Sequence, residues 1–247
     1  MTPALWTAVF ALVAAGATFL GGLAATLPGS LSRRRLSHLI AFGAGYILAA
    51  ALVSLLPESL ELVDNAPMYV LAGYILAHLF EHTFTSHFHF GEETHPEHVV
   101  DPAVGTSALV GLGLHSFFDG VAIASGFLVT PSLGLLIALA VILHKVPEGV
   151  TISSLMVASG RSRRSALRAA GILSVATLAG AAGMALLGEQ VKGAGLAVSS
   201  GIALYVAATD LIPEFNQEGV RVYSLSALGG VVLYFGVHAI ASHLGLH

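Results

Sequence analysis

Residues 104–159 read VGTSALVGLGLHSFFDGVAIASGFLVTPSLGLLIALAVILHKVPEGVTISSLMVAS. Two apolar runs meet near Thr130-Pro131, and each exceeds the roughly 20 residues with which a helix crosses a hydrocarbon core. Each run carries a histidine followed four residues later by a carboxylate: His115 and Asp119 in the first, His144 and Glu148 in the second. Strand-like alternation is absent, so a β-barrel does not fit. The stretch predicts two adjacent spanning helices, 104–129 and 132–159, with ionisable groups at mid-depth.

The rest of the chain has the same character. Its 247 residues are 55% hydrophobic and 10% charged, with a mean hydropathy of +0.85, whereas a soluble domain carries about 25% charged residues. This excludes a soluble enzyme, a disordered chain and a nucleic-acid partner. The net charge of -4 is too small to imply an acidic or basic partner. Six further apolar segments, 4–27, 36–63, 67–86, 166–188, 194–214 and 223–244, complete an expected set of eight spanning helices. The fold class is an all-α polytopic membrane protein, one transmembrane domain over 1–247 embedded in the lipid bilayer. One longer, His-rich connection lies at 87–103. No Lys or Arg precedes the first run, which reads as a retained helix and not a signal peptide. With no cysteine, disulfides, thiolate metal sites and cysteine catalysis are excluded.

The arginines set an orientation. Arg33, Arg34 and Arg35 follow the first span, Arg161, Arg163, Arg164 and Arg168 lie between the fifth and sixth, and Arg221 lies between the seventh and eighth. With eight spans these loops share one side, which the positive-inside rule makes cytoplasmic. Both termini are then outside, and 87–103 is a cytoplasmic loop.

Two internal repeats are visible. Gly45, Ser54 and Leu55-Leu56-Pro57-Glu58 in the second span match Gly201, Asp210 and Leu211-Ile212-Pro213-Glu214 in the seventh at one common offset. The two spans run in opposite directions, as in inverted-repeat transporters. The fourth and fifth spans both read His, three residues, carboxylate, Gly, Val. The expected arrangement is 3+2+3, with the central pair at the pseudo-symmetric centre.

A histidine and a carboxylate four apart share one helix face. Two such helices packed face to face gather two imidazoles and two carboxylates, a donor set that suits Zn2+ and tolerates Fe2+, Mn2+, Co2+ or Cd2+. An unpaired mid-membrane Asp or Lys costs roughly 2.5–3.5 kcal/mol, and a bound cation offsets that cost for Asp119 and Glu148. Pro147, Gly120 and Gly149 allow kinks and close helix approach beside these groups. No organic cofactor is implied.

His115-Ser-Phe-Phe-Asp119-Gly120 and His144-Lys-Val-Pro-Glu148-Gly149 resemble the fourth- and fifth-helix signatures of the ZIP (Zrt-/Irt-like) metal transporters. The resemblance covers the whole chain. It implies Zn2+ or related divalent-ion uptake into the cytoplasm, homodimers, and elevator-type alternating access. It maps the first family metal site onto His115, Asp119, His144 and Glu148. Some members hold a second metal with Asn, Asp and Glu where this chain has Ser116, Lys145 and Ala176. An ammonium at 145 repels a second cation, so a mononuclear site is expected, with Lys145 standing where the second metal would be.

Other polar positions are weaker candidates. Asp210, one turn before Glu214, would lie on the exit path by the same resemblance. His78, Glu81 and His82 near the inner end of the third span, with His87, His89, His95 and His98, could bind metal loosely in the cytoplasm. Glu58, Glu61 and Asp64 mark an acidic outer helix end. Competing functions are a metal-dependent membrane hydrolase, which lacks a His-Glu-x-x-His or Ser/His/Asp pattern, and a metal exporter or proton exchanger. Short loops and the absence of a presequence suggest a bacterial inner membrane.

Overall fold

A computed structural model of the chain describes residues 2–27, 33–84 and 102–244. The described residues form helices throughout: α1 (Pro3–Thr26), α2 (Arg33–Ala50), α3 (Leu56–Leu62), α4 (Ala66–Phe84), α5 (Pro102–Val129), α6 (Pro131–Ala158), α7 (Arg163–Leu187), α8 (Lys192–Tyr205) and α9 (Ile212–His243). Local chemistry sets many of the ends. Thr2, Thr130 and Ser162 cap α1, α6 and α7 by accepting from the backbone N–H groups of Leu5, Leu133 and Ser165. Prolines occupy the first turns of α1 and α6. Gly188, at φ 71, closes α7 in a conformation that favours glycine.

Two π-helical turns interrupt the regular helices. Ala51–Leu55 joins α2 to α3, and Val206–Leu211 joins α8 to α9. Each directly precedes the repeated Pro-Glu, Pro57-Glu58 or Pro213-Glu214. Proline has no N–H to give to the preceding turn, and the helix accommodates this by shifting register, as the Leu56 N–H does in donating to the Ala51 carbonyl.

Among the described residues, six helical stretches are long and apolar enough to cross a membrane: Pro3–Thr26, Arg34–Leu62, Ala108–Val129, Pro131–Ala158, Arg163–Gln190 and Val222–His243. Ala66–Phe80 is a shorter apolar helix, and α8 is shorter still before its π turn. Residues 215–222, between the seventh and eighth expected spans, are themselves helical in the backbone. That segment holds one helix-weakening residue, Gly219, and no proline, and its Asn216, Gln217 and Glu218 are compatible with a helix.

Helices meet through reciprocal glycine contacts. A Cβ on Gly21 would overlap the Val146 carbonyl, and one on Gly149 the Thr18 carbonyl, so α1 and α6 touch backbone to backbone. Gly120 and Gly180 do the same for α5 and α7, against Thr177 and Phe117. Gly45 and Gly230 join α2 to α9, against Ala227 and Phe42, and Gly73 and Gly201 join α4 to α8, against Val198 and Val70. Small residues at such crossings are the usual means of helix association in lipid. Further contacts follow each pair in register. His38 meets Ser226 and Tyr223, while Ser54 and Tyr46 meet Tyr234, so α2 and α9 run parallel. Tyr74 and His78 both meet Tyr205, beside Val70 on Gly201.

Candidate metal centre

Thr130 turns α5 back into α6 as a tight hairpin, so the two His-x-x-x-carboxylate faces meet near mid-helix. One donor atom from each of His115, Asp119, His144 and Glu148 falls within 4.8 Å of all the others. The Nε2 atoms of His115 and His144 are 3.4 Å apart and each lies 3.3 Å from Asp119 Oδ2. Glu148 Oε2 is 4.0 Å from both. The cluster is buried: Glu148 is 2% exposed, and Asp119 and His144 8% each.

The imidazole of His144 is held by its other nitrogen. Nδ1 lies 2.9 Å from the Ala140 carbonyl, which can only accept, so Nδ1 carries the proton and the Nε2 lone pair faces the cluster. His115 Nδ1 is buried without a hydrogen-bond partner.

Lys145 is fully buried inside the same cluster. Its Nζ lies 2.6 Å from Glu148 Oε2, 2.8 Å from Asp119 Oδ2 and 2.8 Å from Ser116 Oγ. The Ser116 hydroxyl donates to Glu148 Oε1 at 2.5 Å. Both carboxylates thus lean on one ammonium, which Ser116 also contacts.

A cavity opens beside the cluster. His115, Asp119 and His144 line it with Ile47, Ala51 and Leu55 of the α2 side and Ser199, Ile202 and Val206 of the α8 side. Both π turns therefore border the candidate site. The sequence reading did not find these cavity residues, because apolar positions at helix crossings look like any lipid-facing apolar position.

The remaining candidates stand apart. His78, half-buried on α4, packs its ring on Tyr205 at 5.8 Å and does not join the cluster. Glu81 and His82 lie on α4 and Asp210 on the second π turn, but their side chains are outside the described residues, as are His87, His89, His95 and His98 altogether.

Comparison with known proteins gives the site a context. Residues 101–242, more than half of the chain, match the family model described as ZIP Zinc transporter. Zinc transporter SLC39A7 of Homo sapiens is 35% identical over 133 residues, covering 48% of this chain and 28% of that protein. Zinc transporter ZIP13 of Pongo abelii is 26% identical over 204 residues, covering 74% of this chain and 60% of that protein. The chain thus spans under a third of SLC39A7 and about three fifths of ZIP13. These relatives are mammalian and lend no support to the expected bacterial inner membrane; an integral membrane protein is what the family and the apolar helices establish. By its family match, the chain belongs to the ZIP zinc transporters.

Proposed function

We propose that this protein carries a divalent transition-metal ion, Zn2+ first, across the membrane into the cytoplasm, with His115, Asp119, His144 and Glu148 as ligands. The observation that carries the reading is the buried convergence of four donor atoms within 4.8 Å from α5 and α6. The site holds one ion, because Lys145 Nζ already sits between Asp119 and Glu148. Asp210 serves as a transient ligand on the way out.

The architecture is eight spans in a 3+2+3 inverted repeat, with both termini outside. The glycine contacts support it: the pair α1/α6 corresponds to α7/α5, and α2/α9 to α8/α4, when first-half helices are exchanged for second-half ones. The π turns correspond in the same way. Because α4 turns back from α3 and α9 runs parallel to α2, eight spans require a reversal of the chain within 210–221. Elevator-type access is supported by the grouping of these contacts. Each reciprocal pair falls within α1, α5, α6 and α7 or within α2, α4, α8 and α9, none joins the two groups, and the cavity lies between them. The functional unit is a homodimer.

Purified protein in liposomes tests the reading through radiozinc uptake by wild type and by His144→Ala combined with Glu148→Ala. Uptake by wild type alone is expected. Equal uptake by both places the transport site elsewhere.

A further inference from the structure

A carrier must reset as well as load. After releasing its ion, an alternating-access carrier must bring the empty site back across the membrane. A site of two buried carboxylates resists that step, because unbalanced charge in a low-dielectric interior is expensive. We propose that Lys145 is a built-in counter-cation that lets the empty site return, making the protein a net carrier that needs no exchange partner. The inference rests on the metal-carrier reading and adds to it the mode of transport.

The geometry supplies the charge balance. Among the described residues the buried charged side chains are Asp119, Lys145 and Glu148. The Lys145 ammonium contacts one oxygen of each carboxylate, at 2.8 and 2.6 Å. With neutral imidazoles, the empty site carries one net negative charge and a site holding a divalent ion carries one net positive charge. The two forms are balanced in magnitude, so neither crossing is penalised far more than the other. Without Lys145 the empty site would carry two negative charges and the loaded site none. Such a carrier moves well only when loaded and behaves as an exchanger. Ser116 contributes by donating to Glu148 Oε1, which keeps the carboxylate satisfied on both oxygens when no metal is present.

Lys145 also holds the ligands near one another without metal. Both Asp119 Oδ2 and Glu148 Oε2 are fixed by the same Nζ, so the empty site stays collapsed and excludes water during the return step. The ammonium does not itself ligate the ion. It acts through the carboxylates and is a positioning and charge-balancing residue.

The experiment compares initial radiozinc uptake into liposomes that are metal-free inside with uptake into liposomes preloaded with unlabelled Zn2+. Wild type is expected to show nearly equal rates, within about two-fold. Lys145→Met is expected to take up zinc into metal-free liposomes about tenfold more slowly than into preloaded ones, since it now depends on a loaded return. A wild type that requires internal zinc overturns the proposal without reference to any variant. So does a Lys145→Met protein that transports zinc with the wild-type ratio. Wild type that takes up no zinc under either condition overturns the metal-carrier reading itself, which separates the two failures. If Lys145→Met does not fold, the wild-type ratio still decides, and Lys145→Gln, which keeps hydrogen-bond donors but no charge, repeats the comparison. Its expected outcome is the exchanger behaviour of the Met variant.

Discussion

Gly149 lies directly against the main-chain carbonyl of Thr18, so the residue after Glu148, a proposed ligand, has no room for a side chain. Gly120, following Asp119, meets the Thr177 carbonyl in the same manner. Each ligand carboxylate is therefore seated by a helix that supplies no ligand. Replacing Gly149 with Ala forces α1 and α6 apart or moves Glu148, and overpacking of this kind typically costs about 1–3 kcal/mol. Gly149→Ala is expected to lower both thermal stability and Zn2+ affinity. Gly16→Ala on α1, where a Cβ meets nothing within 4 Å, is expected to change neither. Thermal unfolding with and without Zn2+ measures both effects together.

The Ala140 carbonyl fixes which nitrogen His144 presents. Removing the imidazole therefore deletes an oriented ligand and leaves Asp119 without its neighbour. His144→Ala is expected to abolish Zn2+ binding. His144→Gln, whose amide oxygen can still reach inward, is expected to retain binding weakened about 10–100-fold, the usual range for a metal site that loses an oriented partner. Isothermal titration of the two variants beside wild type distinguishes them, and wild-type affinity in His144→Ala would mean that His144 is not a ligand.

Lys145 Nζ contacts both Asp119 and Glu148, and in the proposed one-ion site it stands where a second ion would bind. Exchanging the ammonium for a carboxylate removes the repulsion and adds a donor beside Glu148. Lys145→Asp combined with Ser116→Asn is expected to raise the bound Zn2+ from one to two ions per protomer. Metal analysis of the washed protein reads the stoichiometry directly, and a value of one for the variant would show that Lys145 is not what limits occupancy.

The clustering of His115, Asp119, His144 and Glu148 was legible in the sequence because helix geometry leaves little choice: residues four apart face the same way, and two matching units joined by Thr130-Pro131 must meet antiparallel. The contact of Lys145 with both carboxylates was not legible: residue identity placed an ammonium beside the site, and only the packing shows that it reaches Asp119 and Glu148 together. The helix partners were harder to read. Ala17-Thr18-x-x-Gly21 in α1 and Ala176-Thr177-x-x-Gly180 in α7 form a third repeat that carries the seating contacts for Gly149 and Gly120. It is three informative letters among many small residues, and only the packing reveals its meaning. The Ala140 carbonyl leaves no trace in residue identity at all, since any residue there offers the same oxygen.

The orientation can be tested on the natural sequence with little change, because the chain has no cysteine and any single one introduced is a unique label. Asn65 is exposed in the short turn between α3 and α4, and Arg161 is exposed between α6 and α7. The arginine distribution places Arg161 in the cytoplasm and, one span-crossing from Arg33–Arg35, Asn65 outside. In intact cells a membrane-impermeant maleimide is expected to label Asn65→Cys, and to label Arg161→Cys only after permeabilisation. Lys192, between α7 and α8, should follow Asn65, because its position and that of Arg161 are separated by one span. Ser226 on α9 lies beside His38, at the end of α2 that carries the arginines. If the chain reverses within 210–221, Gln217→Cys should therefore label with the Arg161 group. His243→Cys, exposed at the far end of α9, should label with the Asn65 group; labelling of His243→Cys only after permeabilisation would mean that no such reversal occurs, and the eight-span arrangement would fall with it.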